Sequence, residues 1–263
     1  MTEEKPFLGI IGGSGIYELN NIINPKWLSV QSLYGEPSDK ILTGSIDDIN
    51  IAFLPRHGRS HNLLPSDINY RANIDCLKSI GVTDIISLSA VGSLKENIKP
   101  GNFVIIDQFI DRTFARKKTF FDEGIVAHVS MAKPVSEQLS EIILEAAPQN
   151  INISMGGTYL AMEGPQFSTL AESELYRSWN CDVIGMTNMP EAKLAREAEI
   201  AYATIAMVTD YDCWHPDHDA VTVDDIIEVL NNNSNNAKSL VLSIIQNISQ
   251  KTWTWSDPSY SAL

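Results

Sequence analysis

Short apolar runs alternate along this chain with segments whose apolar positions recur at helical spacing. Residues 7–11 (FLGII) read as a buried strand that runs into the turn Gly12-Gly13-Ser14-Gly15. Residues 51–54 (IAFL) predict a second strand, followed by the polar loop PRHGRSHNLLPSD. A helix is predicted over 66–80, with Ser66 as N-cap, Ile74, Leu77 and Ile80 on one face, and Gly81 as its stop. Residues 84–89 (DIISLS) and 103–106 (FVII) predict two more strands. In the second half, Leu139, Ile142, Ile143 and Ala146 lie at helical spacing before Pro148. Thr169 and Glu172 form a capping-box pattern that opens a helix running to Trp179. A strand at 182–186 (DVIGM), a helix over 191–202 started by Pro190, and a strand at 203–209 (ATIAMVT) follow. Thr222 and Asp225 repeat the capping-box pattern before a long C-terminal helix. Its middle, NNNSNN at 231–236, is poor helix material and predicts a weak or exposed turn. The alternation predicts an α/β fold: one domain over residues 1–263, with a mixed, largely parallel central sheet flanked by helices.

Composition narrows the function classes. The chain has 263 residues, 44% of them hydrophobic and 20% charged, which suits a sizeable core rather than a disordered or fibrous chain. Its formal net charge of −14 disfavours non-specific binding to nucleic acid or anionic lipid. An anionic substrate would therefore need a local basic site. Cys76, Cys181 and Cys213 are too few and too scattered for a disulfide framework or a zinc cluster, which points to a reducing, cytoplasmic compartment. The N-terminus lacks the basic and apolar regions of a secretory signal, and no apolar run is long enough for a membrane span.

Sites in α/β folds form at the carboxyl ends of strands, so the residues just after each predicted strand carry the candidate chemistry. After the first strand, the glycine turn with Ser14 reads either as a tight turn or as a cup of N–H groups and a hydroxyl around an anion. After the second, RHGRSH places Arg56, His57, Arg59 and His61 within six residues. Arginine forks match phosphate oxygens, but a solvated basic loop or a metal site using His57 and His61 are open alternatives. Ser89 and Thr187 end two further strands and offer hydroxyls that bind phosphate without adding charge. Asp210 and Asp212 end the strand at 203–209. They read either as an Asx turn or as recognition of a ring carrying an amino group and an acceptor nitrogen. Phe167 and Met186 adjoin polar loop residues, which suits stacking on a sugar or purine as well as core packing. His215, Asp217, His218 and Asp219 imitate a metal-ligand cluster without closing ligands, and an exposed loop is the preferred reading. No GxSxG elbow or Cys-His-Asn pattern is present, which argues against acyl transfer.

Taken together and in order, GIIGGSGIY, RHGRSHNLLPSDINYRANI, SAVGSLKENIKPG, IDQFIDRT, AMEGPQFSTLAES, VIGMTNMPEAKLAREA and VTDYDCW resemble the trimeric purine nucleoside phosphorylase family, in particular its methylthioadenosine-cleaving members. The resemblance runs from about residue 7 to residue 248. It implies a phosphate site of Ser14, Arg56, His57, Ser89, Ala90 and Thr187. It places Met186 and Phe167 on the ribose and base, and Ser168, Asp210 and Asp212 at the adenine. Val223, Ile226 and Ile227 would line the pocket for the 5′ substituent, and His128 would reach into a neighbouring subunit of a homotrimer or dimer of trimers. Ser14 and Ser89 stand where many members have threonine, and both keep the hydroxyl. The sequence stops at Leu263, earlier than longer members, so a more open 5′ pocket is expected.

The implied reaction is reversible phosphorolysis of methylthioadenosine to adenine and 5-methylthioribose 1-phosphate, with phosphate as co-substrate and no metal or organic cofactor. A 6-oxopurine nucleoside or methylthioinosine substrate is the nearest alternative. A nucleosidase using water and a non-enzymatic nucleoside-binding protein are the more distant ones.

Overall fold

In the computed structural model, residues 5–13, 21–122, 124–216, 223–251 and 257–263 are described. The sheet grows outward from β1 (Phe7–Gly12), which lies parallel to both β4 (Ile49–Pro55) and β5 (Asp84–Ser93). Outside β4, the antiparallel strands β3 (Ile41–Ile46) and β2 (Ile23–Leu28) finish one edge. Beyond β5 the sheet divides. One branch carries β10 (Val183–Gly185), β9 (Thr158–Ala161) and β7 (Gln108–Asp111). The other carries β11 (Ala201–Asp210), β6 (Phe103–Ile106) and β8 (Ile153–Met155). Among the described residues the result is an eleven-stranded mixed sheet with parallel pairs β1–β4, β1–β5, β5–β11, β9–β10, β7–β9 and β6–β8.

Helices cover both faces because the central strands are apolar on both sides. Ile10 joins the cluster of Leu139 and Ile142 from α2 (Glu137–Glu145) and Leu240 and Ile244 from α5 (Val223–Gln250). Its neighbour Ile11 joins Ile74 and Leu77 of α1 (Tyr70–Ser79) and Leu194 of α4 (Asn188–Glu197). Successive side chains on a strand point to opposite faces, so each apolar pair serves both layers. α3 (Leu170–Ser178) borders a smaller cluster of Leu94, Leu160, Tyr176, Cys181 and Ile184.

β5 changes partners along its length. β1 accompanies it from Asp84 to Ser87, and β10 takes the same edge only at Gly92 and Ser93. β11 holds the other edge from Asp84 to Gly92. Between Ser87 and Gly92 one edge of β5 is left open to side chains, inside the sheet and at its carboxyl end.

Several expectations need correction. α1 starts at Tyr70, four residues after Ser66, because the Asn69 side chain accepts from the Ala72 amide at 3.1 Å and caps the helix. Ser66 instead donates to the Glu163 carboxylate. α4 spans Asn188–Glu197, and Glu199 adopts a left-handed φ of 53°, so residues 201–202 belong to β11 rather than to the helix. The NNNSNN segment lies within α5. Asn233 is buried there and donates to the Val208 carbonyl at 2.9 Å, so tertiary packing overrides weak propensity. The capping box at Thr169 and Glu172 forms as expected, with both reciprocal bonds present. Thr222, the proposed cap of α5, lies outside the described residues. β2, β3, β7, β8 and β9 carry no clear sequence signal: β2 is exposed and contains Pro25, and β8 and β9 are three and four residues long.

Candidate active site

The carboxyl ends of β1, β4, β5, β10 and β11 meet where β5 changes partners, and the candidate residues follow those strands. Arg56 comes directly after β4, and its amide donates to the Gly12 carbonyl at 2.9 Å, extending the parallel ladder by one rung. Its side chain turns into the open edge of β5. Nη1 donates to the Leu88 carbonyl at 2.9 Å, and Nη2 to the Ser87 hydroxyl at 2.6 Å. Nε and Nη2 grip the Glu191 carboxylate at 2.9 and 3.1 Å. Both side chains are 2% exposed. Burial opposes the arginine charge, but the Glu191 carboxylate outweighs it and holds the guanidinium protonated above its ordinary range.

This corrects the picture of RHGRSH as a loop of concentrated positive charge. Arg56 is neutralised inside the sheet, with one Nη1 hydrogen beyond its bond to Leu88. Arg59 pairs with Asp39 through Nε and Nη2, both at 3.0 Å, and its guanidinium lies 4.4 Å over the Trp27 ring. His57 Nδ1 lies 2.9 Å from the Leu63 carbonyl, which can only accept, so Nδ1 carries the hydrogen and Nε2 is the ring's acceptor. Burial lowers its pKa to about 4; the Leu63 carbonyl opposes this, and Arg56 and His61 add to it. The ring stacks on His61 at 4.6 Å. The two histidines are thus stacked, not splayed toward a common ion. Among the described residues no group of three or more His, Cys, Asp or Glu is arranged to hold a metal.

Ser89 and Thr187 are 4% and 5% exposed, and the Tyr159 hydroxyl lies between them, 3.1 Å from Ser89 Oγ and 3.5 Å from the Thr187 amide. Ala90 is exposed beside Ser89. Ser14 lies outside the described residues.

Across the end of β11, Asp210 Oδ1 accepts from the Asp212 amide at 2.7 Å and Oδ2 from the Thr209 hydroxyl at 2.6 Å. Ser168 is 8% exposed, and its hydroxyl reaches both Asp212 oxygens at 2.8 and 2.7 Å. Gly92 permits this crowding, since a Cβ there would stand 3.0 Å from Asp210 Oδ1 and 3.3 Å from the Asp212 side chain. Ser168, Asp210 and Asp212 therefore form one polar group. Phe167, next to Ser168, is 82% exposed. Met186 is half-buried, and its sulfur would lie 2.5 Å from a Cβ at Gly164. The side chains of Val223, Ile226 and Ile227 lie outside the described residues. His128 lies on the exposed, irregular stretch 124–131, beside Ile125 and Val126, which are 67% and 76% exposed. Asp217, His218 and Asp219 are outside the described residues, and His215 Nε2 lies 3.2 Å from a Glu96 carboxylate oxygen.

Three organising residues carried no sequence signal. Glu191 reads as a surface acid of an amphipathic helix, yet it anchors Arg56 and also accepts from Ser87 and Tyr202 at 2.6 and 2.8 Å. Asn188 donates to Ser87, Tyr202 and Thr204 at 2.9, 2.7 and 3.1 Å, extending the same buried network. Arg116 reads as part of the basic run RKK, but its side chain is 1% exposed. It donates to the carbonyls of Glu163 at 2.6 Å and Met189 at 2.7 Å, to that of Met186, and to the Glu163 carboxylate at 3.2 Å. It so ties the loop before Phe167 to the segment that carries Met186 and Thr187. Only burial distinguishes these three from surface residues, and burial is not visible in local pattern.

Residues 7–246 match the phosphorylase superfamily. The chain is 59% identical over 260 residues to the S-methyl-5′-thioadenosine phosphorylase of Rhodospirillum rubrum, covering 98% of this chain and 88% of the relative. The corresponding protein of Bradyrhizobium diazoefficiens is 62% identical over 235 residues, covering 89% and 81%. A crystal structure of a methylthioadenosine phosphorylase from an antarctic soil metagenomic library superposes with a TM-score of 0.93 at 47% identity, covering 98% of this chain and 91% of that one. The methylthioadenosine phosphorylase of Schistosoma mansoni in complex with adenine superposes with a TM-score of 0.85 at 34% identity, covering 95% and 94%. With its fold, the strand ends that carry its polar groups and its near full-length kinship in agreement, the chain belongs to the phosphorylase superfamily.

Proposed function

We propose that this chain catalyses reversible phosphorolysis of S-methyl-5′-thioadenosine, releasing adenine and 5-methylthioribose 1-phosphate. The observation that carries the reading is the pairing of two chemically distinct groups at one end of the sheet. Ser89, Ala90, Thr187, Arg56 and His57 supply donors and one acceptor for an anion, and Asp210 and Asp212, the latter held by Ser168, supply two carboxyl groups for an amino-purine. Relatives at 50–62% identity named for this activity support the same substrate.

The glycosidic bond breaks through a ribosyl cation-like state. A phosphate positioned at C1′ meets the positive carbon, and a proton at N7 relieves the negative charge on the departing adenine. In this reading Asp210 shares that proton with N7, and Asp212, oriented by Ser168, faces the amino edge. Neutral His57 accepts through Nε2 from the hydroxyl of monohydrogen phosphate, so the site needs little net positive charge in a chain of net charge −14. Phe167 and Met186 pack on the base and ribose. Val223, Ile226 and Ile227 line the methylthio pocket. Metal and organic cofactors have no role in this scheme. We further propose a cytoplasmic homotrimer, or a dimer of trimers, in which the exposed stretch with Ile125, Val126 and His128 is covered by a neighbouring subunit.

The test is adenine release from methylthioadenosine with and without inorganic phosphate. Strict dependence on phosphate and formation of the sugar 1-phosphate are expected. Adenine released equally without phosphate would mean a nucleosidase. A preference for inosine would mean a 6-oxopurine enzyme.

A further inference from the structure

We infer that Tyr159 is a positioning residue for phosphate, which orients the Ser89 hydroxyl so that its hydrogen points toward the anion. The inference rests on the phosphate site proposed above. Tyr159 lies in β9 and is fully buried. Its hydroxyl is 3.5 Å from the Thr187 amide nitrogen and 3.1 Å from Ser89 Oγ. An amide N–H can only donate, so the phenol oxygen accepts on that side. Either hydroxyl can donate in the contact with Ser89 Oγ, and in the inferred arrangement the phenol hydrogen goes to Ser89. Ser89 becomes an acceptor toward Tyr159 and keeps its own hydrogen for another partner. The other acceptor within reach of Ser89 Oγ, the Ala90 carbonyl, lies at 3.5 Å, longer than the 3.1 Å contact with Tyr159. An unprotonated phosphate oxygen, which only accepts, fits the hydrogen that remains.

The tyrosine ring is held in place on both sides. A Cβ at position 185 would stand 1.9 Å from the phenol oxygen, so only glycine admits the ring between β9 and β10. Phe109 packs against the other side, with ring centroids 5.8 Å apart. Burial raises the phenol pKa, with bonds to Ser89 and Thr187 acting against it, so the hydroxyl keeps its proton in neutral solution. One immobile donor thus links the opened half of β5 to the residue that follows β10 and Met186.

Tyr159→Phe, Ser89→Ala and the double variant test the inference through initial rates, with inorganic phosphate and methylthioadenosine varied separately. Tyr159→Phe should raise the phosphate KM by about three- to tenfold and leave the nucleoside KM near wild type. The double variant should be no worse for phosphate than Ser89→Ala, because the tyrosine acts through the serine. Additive losses, or equal rises in both KM values, would overturn the inference in favour of a merely structural tyrosine. An unchanged phosphate KM in Ser89→Ala would overturn the phosphate reading of this serine, and with it the inference. An effect in Ser89→Ala with none in Tyr159→Phe would overturn the role of the tyrosine alone. Should Tyr159→Phe not fold, 3-fluorotyrosine at position 159 replaces it. Its more acidic phenol donates more strongly, so the phosphate KM should fall, and an unchanged or higher value would overturn the inference.

Discussion

Arg56 and Glu191 form a two-bond ion pair, at 2.9 and 3.1 Å, sealed inside the sheet behind the proposed phosphate site. The pair converts a residue that reads as a surface cation into a fixed support. Removing one member of a buried pair leaves the other charge uncompensated, at a cost of about 3–5 kcal/mol. Glu191→Ala should therefore lower the urea midpoint sharply. Glu191→Gln, which keeps a hydrogen-bonding oxygen, should lower it less. An unchanged midpoint in Glu191→Ala would show that the pair does not hold in solution. Arg56→Ala should show the same loss of stability together with a higher phosphate KM, because Nη1 retains one hydrogen for the anion.

Asp210 accepts from both the Asp212 amide and Thr209, so its carboxylate is held in one orientation at the end of β11. Asp210→Asn supplies an amide that can donate to O6 but cannot deliver a proton to N7. The ratio of kcat/KM for methylthioadenosine to that for inosine should fall in this variant. A ratio equal to that of the wild type would remove Asp210 from base recognition.

In the proposed site Ser168 belongs to the base side and not to the phosphate side. Ser168→Ala releases the Asp212 carboxylate from its two contacts at 2.8 and 2.7 Å. The nucleoside KM should rise about ten- to a hundredfold, the value of one hydrogen bond to a charged partner, while the phosphate KM stays fixed. A change confined to phosphate would contradict the placement of Ser168.

Two groups give the stability of this protein opposite dependences on pH. The His57 pKa is lowered to about 4 by burial, against an ordinary value of 6.5. As pH falls between these values the unfolded chain takes up a proton that the folded chain refuses, so His57 removes stability on acidification. Asp84 is buried, and its pKa is raised from 3.8 to about 6, with bonds from Thr83 and Tyr260 opposing the rise. The folded chain holds that proton longer, so this contribution is complete below pH 3.8 and is lost as pH rises through about 6. Thermal melts at stepped pH should show Asp84→Asn gaining on wild type as pH rises, and His57→Gln gaining as pH falls. The reverse order in either variant would contradict the burial of that group.

The proposed 5′ pocket predicts a preference for a methylthio group over a hydroxyl. Burying the former on apolar side chains while the latter loses its water favours methylthioadenosine over adenosine by roughly 1–2 kcal/mol, or about five- to thirtyfold in kcat/KM. A ratio near one would remove Val223, Ile226 and Ile227 from the pocket.

Local pattern in the sequence was enough to set the α/β alternation, the central strands and the polar groups at their carboxyl ends. Runs such as FLGII and FVII are apolar on consecutive positions, and only a strand buried on both faces uses such a run fully. The capping box at Thr169 is equally local, since its bonds close within four residues. The edge strands were not legible, because β2 is exposed and β8 has three residues, too few to show a period. Propensity misled at NNNSNN, where a bond from Asn233 to the end of β11 keeps the helix continuous. What tertiary structure alone decided is which charges of the RHGRSH loop face solvent and which are neutralised. Arg56 and Glu191 are 135 residues apart, as are no two residues that a window of local pattern can compare. They meet because β5 leaves β1 at Ser87 and opens an edge whose carbonyl at Leu88 needs a donor, and a buried arginine there needs a carboxylate.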